Sequence, residues 1–220
     1  MTYESVQQRG IAPPNPGGQV TARVAGVDGS TGNRHLARLL RPTVPLRDLG
    51  DLCHALCAVH GKRPDMIEGA LETAADPVER AWLAAAAEGF ADERQYLARL
   101  VAAAGPLPST PGQAECEAAF VGLRHAFGML ARSGRSGCAL GAVEALVMEW
   151  RVVRPILDRA ADRFHIRGAT CAMPGAFADI AATPGTERAM AFGAQQLLVQ
   201  HRGLWDLLES RSAARDSAPA

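Results

Sequence analysis

The chain has little lysine, few aromatic residues and no excess of charge of either sign. Lys62 is the only lysine, aromatic residues make up 5% of the 220 positions, and 23 basic residues balance 23 acidic ones. Without a net charge the chain lacks the field that attracts a polyanion, so we expect no nucleic acid among its partners. The other basic residues are arginines and alanine is abundant, a bias that is typical of GC-rich bacterial genomes.

The signals for membrane insertion, secretion and zinc binding are also missing. No segment approaches the roughly 20 apolar residues that cross a bilayer, and MTYESVQQRG lacks the charged and apolar regions of a secretion signal. We therefore expect a soluble, cytoplasmic protein with no membrane partner. The 5 cysteines include no CxxC pair, which indicates reduced thiols rather than a zinc site.

The first 44 residues differ in composition from the remainder. IAPPNPGGQV and GVDGSTGNRH are rich in glycine, proline and asparagine, which predicts an irregular N-terminal arm with one short strand at 19–24. The glycines of GVDGSTGNR are similar to those of a phosphate-binding loop, but the GK[ST] signature is absent. We expect the arm to serve as a contact between copies in a homo-oligomer.

From residue 45 to 212 the pattern of apolar residues is helical, and clear start and end signals separate the helices. Cap–proline pairs at Asp76-Pro77, Thr110-Pro111 and Thr183-Pro184 predict three helix starts, because proline at the first helical position loses no hydrogen bond. Glycines mark the C-terminal ends of the predicted helices. We predict an all-α, up-and-down bundle of four long helices preceded by one or two shorter ones, and a disordered tail at 213–220. The predicted helices are 45–60, 65–74, 77–104, 111–133, 137–167 and 184–211.

Helical periodicity separates inward from outward polar residues. On the helix at 137–167, Glu144, Asp162 and His165 fall on the side opposite the apolar face. Asp162 and His165 have the spacing of a metal-ligand pair, but their position on this side indicates a solvated surface. Other polar residues fall among apolar ones. This inward set, one residue from each of four helices, consists of His60, Glu93, Glu149 and His201.

Inward carboxylates and imidazoles on facing helices are similar to the sites of ferritin-like di-iron proteins. The resemblance implies an oxidoreductase that binds iron or manganese through Glu93, Glu149 and His201. The Glu-x-x-His motif of that family is not complete here, because Tyr96 and Val152 stand where its histidines would be.

A second resemblance rests on the run GMLARSGRSGCALGA between two long helices. It is similar to the glycine-rich distal helix of the heme-oxygenase-like fold, which implies a heme and makes His60, or His54, the cofactor-binding ligand.

The same residues also fit a protein without catalysis. Glu93 or Glu149 could pair with His201, or with an arginine such as Arg163 or Arg202, in a satisfied buried network. Three tryptophans could line a pocket for a small apolar ligand: Trp82, Trp150 and Trp205. We therefore expect a ligand-binding or protein-interaction protein, with the metal- or heme-dependent oxidoreductase as the alternative.

Overall fold

A computed structural model describes residues 16–106, 112–177 and 183–217, and helices are the only regular secondary structure in this part of the chain. It contains eight α-helices, one short 3-10 turn at Ser30–Gly32 and no strand. The all-α prediction is confirmed. The helices are α1 Pro16–Asp28, α2 Arg34–Leu39, α3 Leu46–His60, α4 Met66–Thr73, α5 Pro77–Ala104, α6 Gln113–Ala131, α7 Cys138–Arg163 and α8 Pro184–Asp216.

Two of the three predicted cap–proline starts lie in the described residues, and both are confirmed. The Asp76 side chain accepts hydrogen bonds from the first turn of α5, and Thr183 caps α8 in the same way. Helix α4 starts with a capping box between Asp65 and Glu68. The third start lies outside the described residues.

The prediction of an irregular N-terminal arm is wrong for residues 16–39. Helix α1 occupies 16–28, including the segment predicted as a strand, and α2 follows the 3-10 turn. Helix α1 packs against α7 and α8 and buries Thr21 completely, so tertiary contacts outweigh the unfavourable helix propensity of its glycines. The boundary between an arm and a bundle at residue 44 stays a prediction.

The predicted tail is also partly wrong, because α8 continues to Asp216. Its last turns are attached to α3 by buried ion pairs: Arg215 contacts Asp48 at 3.2 Å and also Asp51, and Arg211 contacts Asp51 at 3.3 Å. These partners lie about 160 positions apart in the chain, so the local sequence gives no sign of them.

Helix α7 lies at the centre of the molecule. It packs against α1, α3, α5, α6 and α8, and residues 141–147 are all buried. Its closest neighbour is α8. A Cβ on Gly193 would lie 2.0 Å from the Cys138 carbonyl oxygen, and one on Gly141 would lie 2.2 Å from that of Met190, so these glycines allow the two backbones to touch. Because other helices surround α7 here, residues on all of its sides are buried, including the polar residue Glu144.

None of the helices in the described ranges is both long and apolar enough to span a membrane.

Candidate functional site

The four inward residues predicted from periodicity are all buried. His60, Glu93, Glu149 and His201 are each no more than 3% exposed, and they come from α3, α5, α7 and α8 respectively. They do not form one cluster, however. Three of them are joined in a hydrogen-bonded chain, whereas Glu93 belongs to a separate ion pair.

Glu93 is neutralised by Arg154 of α7. The Arg154 Nε atom donates to the two carboxylate oxygens at 2.9 and 3.2 Å, and the Trp150 indole donates to Oε2 at 2.9 Å. The same guanidinium also binds Asp158 and the Ala169 carbonyl. Burial acts to lower the pKa of Arg154, but the charges of Glu93 and Asp158 and the hydrogen bonds to both carboxylates together outweigh burial and raise the pKa.

The second group is a hydrogen-bonded chain of four residues, which we call the core relay: Ser30, Glu149, His201 and His60. The Ser30 N–H donates to Glu149 Oε1 at 2.9 Å, and its hydroxyl donates to Oε2. His201 Nδ1 lies 3.3 Å from Oε2, and His201 Nε2 lies 3.1 Å from His60 Nε2. The predicted pairing of Glu149 with His201 is confirmed.

Ser30 and His201 both present donors to Glu149. Because a carboxylate only accepts, His201 Nδ1 donates to Oε2, and the bond between the two Nε2 atoms is donated by the histidine that carries a proton there. Burial acts to raise the pKa of Glu149, but the hydrogen bond and charge of His201, and then the bonds from Ser30, outweigh burial and lower the pKa. Burial, followed by the charge of His201, lowers the pKa of His60 well below its usual value, so His60 is neutral at pH 7.

The inner end of the core relay is closed by aromatic rings. The His60 ring stacks on Phe127 at a centroid distance of 5.2 Å and meets the edges of Phe90 at 6.1 Å and Trp150 at 5.7 Å. A flat cofactor would need space beside this imidazole, and these rings fill it. The role of His60 as a cofactor ligand stays a prediction, with no support from its surroundings.

Across the described residues, no group of three or more His, Cys, Asp and Glu side chains is arranged to hold a metal ion. The reason is clearest at Glu93, whose oxygens are bound by Arg154 and Trp150 rather than directed toward Glu149 or His201. The structure therefore does not support these three predicted ligands as one iron or manganese site.

The outer end of the core relay lies beneath a surface cleft of about 520 Å³. We call it the 26–33 cleft, because the loop between α1 and α2 forms one wall and α8 forms the other. Arg202 of α8 binds Asp28 across it, with Nη2 at 3.2 Å from the carboxylate and 3.0 Å from the backbone carbonyl. The lining residues are 26–33 together with Arg202, Trp205 and Asp206.

Ser30 joins the cleft to the core. Its hydroxyl accepts a hydrogen bond of 2.7 Å from the Trp205 indole and donates to Glu149, so one small side chain connects loop, α7 and α8. Of the three tryptophans expected to line a pocket, only Trp205 lines this cleft. Trp150 is fully buried, and Trp82 packs on Phe177 with its indole bonded to the Gly175 carbonyl.

Sequence reasoning missed three important residues. Ser30 lies in a segment predicted to be irregular. Arg154 was not among the arginines expected to pair with Glu93 or Glu149. Arg163 was among them, but it binds the backbone carbonyls of Pro42 and Val44. Glu144, expected in solvent, is completely buried.

The carboxyl group of Glu144 lies on α7, close to Thr21 of α1 and to the backbone of Phe177. Burial raises its pKa to about 7. The nearby Thr21 hydroxyl and Phe177 backbone N–H offset this effect in part, although neither makes a hydrogen bond of good geometry to the carboxyl oxygens. Glu144 therefore gains or loses its proton near neutral pH, well above the usual range of a carboxyl group.

Comparisons with known proteins place the chain in a family without assigning a function. No curated protein and no solved structure matches it. One family model matches residues 25–216, which include the 26–33 cleft and all four residues of the core relay. The chain belongs to this family, which is described as a family of unknown function, DUF6975.

Proposed function

We propose that the protein is a non-catalytic binding protein and that the 26–33 cleft receives a small polar ligand. The observation that carries this proposal is the connection between the cleft and the core. Ser30 and Trp205 line the cleft and are held by the core relay, so the wall that a ligand would contact is fixed in position. A preorganised wall lowers the entropic cost of binding.

The charges around the cleft favour a ligand that carries an amine. Asp28 and Asp206 supply two carboxylates and Arg202 supplies one guanidinium, so the lining has one net negative charge. Because Arg202 is bound to Asp28, Asp206 is the carboxylate that can meet a cationic group. The Thr31 hydroxyl and the loop backbone add hydrogen-bonding groups.

Binding is favoured over catalysis because the glutamate and the two histidines beneath the cleft are enclosed. Glu149, His201 and His60 are buried and bonded to one another, and the aromatic cage around His60 closes the inner end. A general base must come within hydrogen-bond reach of its substrate, and Ser30 is the one residue of the core relay that a ligand in the cleft would meet.

The scaffold carrying the cleft is proposed to be a bundle of α5, α6, α7 and α8 in which only α5, α6 and α7 follow one another up and down. The short connection at 132–137 supports antiparallel α6 and α7. Helix α8 runs parallel to α7, because Gly193 lies beside Cys138 and, further along both helices, His201 binds Glu149.

A screen of small polar amines by ligand-observed NMR tests the proposal, with a variant that fills the cleft. A Cβ at position 32 meets no atom within 4 Å, so Gly32→Leu places a side chain in the cleft without disturbing the fold. We expect compounds that bind the natural chain to bind this variant at least about tenfold more weakly, a change of about 1.4 kcal/mol.

The matched control is Gly168→Leu, at another exposed glycine whose Cβ would meet nothing within 4 Å. It lies outside the cleft and should leave binding unchanged. A compound that binds Gly32→Leu and the natural chain equally well occupies some other surface, and a screen without binders refutes the amine preference. Asp206→Asn should weaken cationic binders and leave neutral ones unaffected.

A further inference from the structure

Between Glu117 and Arg132, the exposed positions of α6 carry none of the acidic or basic side chains, Asp, Glu, Lys and Arg, that surface helices normally present. At about 100° per residue, six positions lie within about 40° of one line along this helix. The six residues, which we call the α6 stripe, are Ala114, Ala118, Val121, His125, Met129 and Arg132, and all are exposed.

The α6 stripe combines small residues with two large apolar ones. Val121 is 55% exposed and Met129 is 59% exposed, although a surface helix of a monomer usually places such residues in the core. Ala114 and Ala118 let a second helix approach closely at one end. An apolar helix face of this kind is typical of a protein interface rather than of a solvated surface.

The charges at the two ends of α6 complement each other. Glu115 and Glu117 flank the stripe near its start, and Arg132 ends it. If a second α6 packs antiparallel about a two-fold axis at His125, Val121 of each copy faces Met129 of the other. Arg132 then lies over Ala118, beside the acidic end of the opposite helix. The surface is therefore self-complementary, as a two-fold interface requires.

We propose that a second copy of this chain docks on the α6 stripe and forms an antiparallel, two-fold α6–α6 dimer. This interface shares no residue with the 26–33 cleft, so it is independent of the proposed ligand. A helix of 19 residues is about 28 Å long. One helix pair buries less than the roughly 1,200 Å² of a stable complex, so the dimer is weak, with a dissociation constant between about 1 µM and 1 mM.

Sedimentation equilibrium of the full chain, from about 5 µM to 1 mM, tests the dimer. We expect the average mass to rise with concentration toward twice the monomer mass. Val121→Arg should weaken the dimer at least about tenfold, because it places two like charges in the apolar centre of the interface. Val78→Arg is the matched control, since Val78 is 48% exposed on α5, and it should leave the dimer unchanged.

A charge exchange tests the antiparallel direction. Arg132→Glu alone should weaken the dimer, because it brings carboxylates together at both ends. Adding Glu115→Arg and Glu117→Arg to that variant should restore it, since the complementary pairs then form with their signs reversed. Circular dichroism checks that each variant remains helical.

Three results would overturn the proposal. A chain that stays monomeric up to about 1 mM has no such interface. A dimer that is equally strong in Val121→Arg uses another surface. A failure of the triple variant to recover, with its helical content intact, excludes the antiparallel register.

Discussion

Replacing Arg154 by methionine should destabilise the fold more than replacing its partner Glu93 by glutamine. Arg154→Met leaves the Glu93 carboxylate, whose side chain is 1% exposed, with only the neutral Trp150 indole as a donor. Removing one partner of a buried ion pair costs about 3–5 kcal/mol, because the remaining charge is left without compensation in a medium of low polarity. We expect a loss in that range.

The substitution Glu93→Gln should lower the free energy of unfolding by less, because Arg154 has other partners. Glu93→Gln retains an oxygen that can accept from Trp150, and Arg154 keeps its contacts with Asp158 and the Ala169 carbonyl. The expected cost is about 1–3 kcal/mol, that of weakened hydrogen bonds to a charged group. The double variant Glu93→Gln with Arg154→Met holds no unpaired charge and should be more stable than Arg154→Met alone.

Urea unfolding followed by circular dichroism at pH 7 measures all three variants. Arg188→Met, at an exposed position of α8, is the matched control and should change the free energy of unfolding by no more than about 0.5 kcal/mol. A loss below about 1 kcal/mol for Arg154→Met would refute the reasoning, since it would show that water reaches Glu93. A larger loss for Glu93→Gln than for Arg154→Met would also contradict it.

Three further predictions concern buried groups. The pKa of Glu144 rises from 4.5 to about 7 on folding, so the folded state is favoured by the protonated carboxyl group below pH 4.5 and loses this advantage as the pH rises to about 7. The expected loss in the free energy of unfolding is about 3 kcal/mol. Urea titrations across this pH range should show the loss in the natural chain and not in Glu144→Gln. Ser30→Ala removes the acceptor of the Trp205 indole and should lower the free energy of unfolding by about 1–3 kcal/mol in the same assay. Gly193→Ala should force α7 and α8 apart and lower the melting temperature, whereas Gly203→Ala, whose Cβ meets no atom within 4 Å on the same helix, should not lower it.

The features that local sequence controls could be predicted. Proline after Asp76 and after Thr183 marks two helix starts, because capping and the missing proline N–H act within one turn. Helical periodicity also placed Glu93 and Glu149 inside, because each is surrounded along its own helix by apolar residues.

The features that depend on distant contacts could not be predicted. Periodicity assumes that one side of a helix meets water, and α7 has no such side over 141–147, so Glu144 was misplaced. Ser30 and Glu149 are 119 positions apart, and nothing near either residue indicates the other. Helix α1 forms because α7 and α8 cover it, against the local preference of its glycines.

The most direct test of the 26–33 cleft as a binding site is a ¹⁵N–¹H NMR spectrum of the three tryptophan indoles during titration with an amine from the screen. The Trp205 indole donates to Ser30 beneath the cleft, whereas those of Trp82 and Trp150 donate to Gly175 and Glu93 elsewhere. We predict that only the Trp205 signal shifts, in proportion to occupancy. A bound amine that shifts the Trp82 signal and leaves Trp205 unmoved would contradict the account.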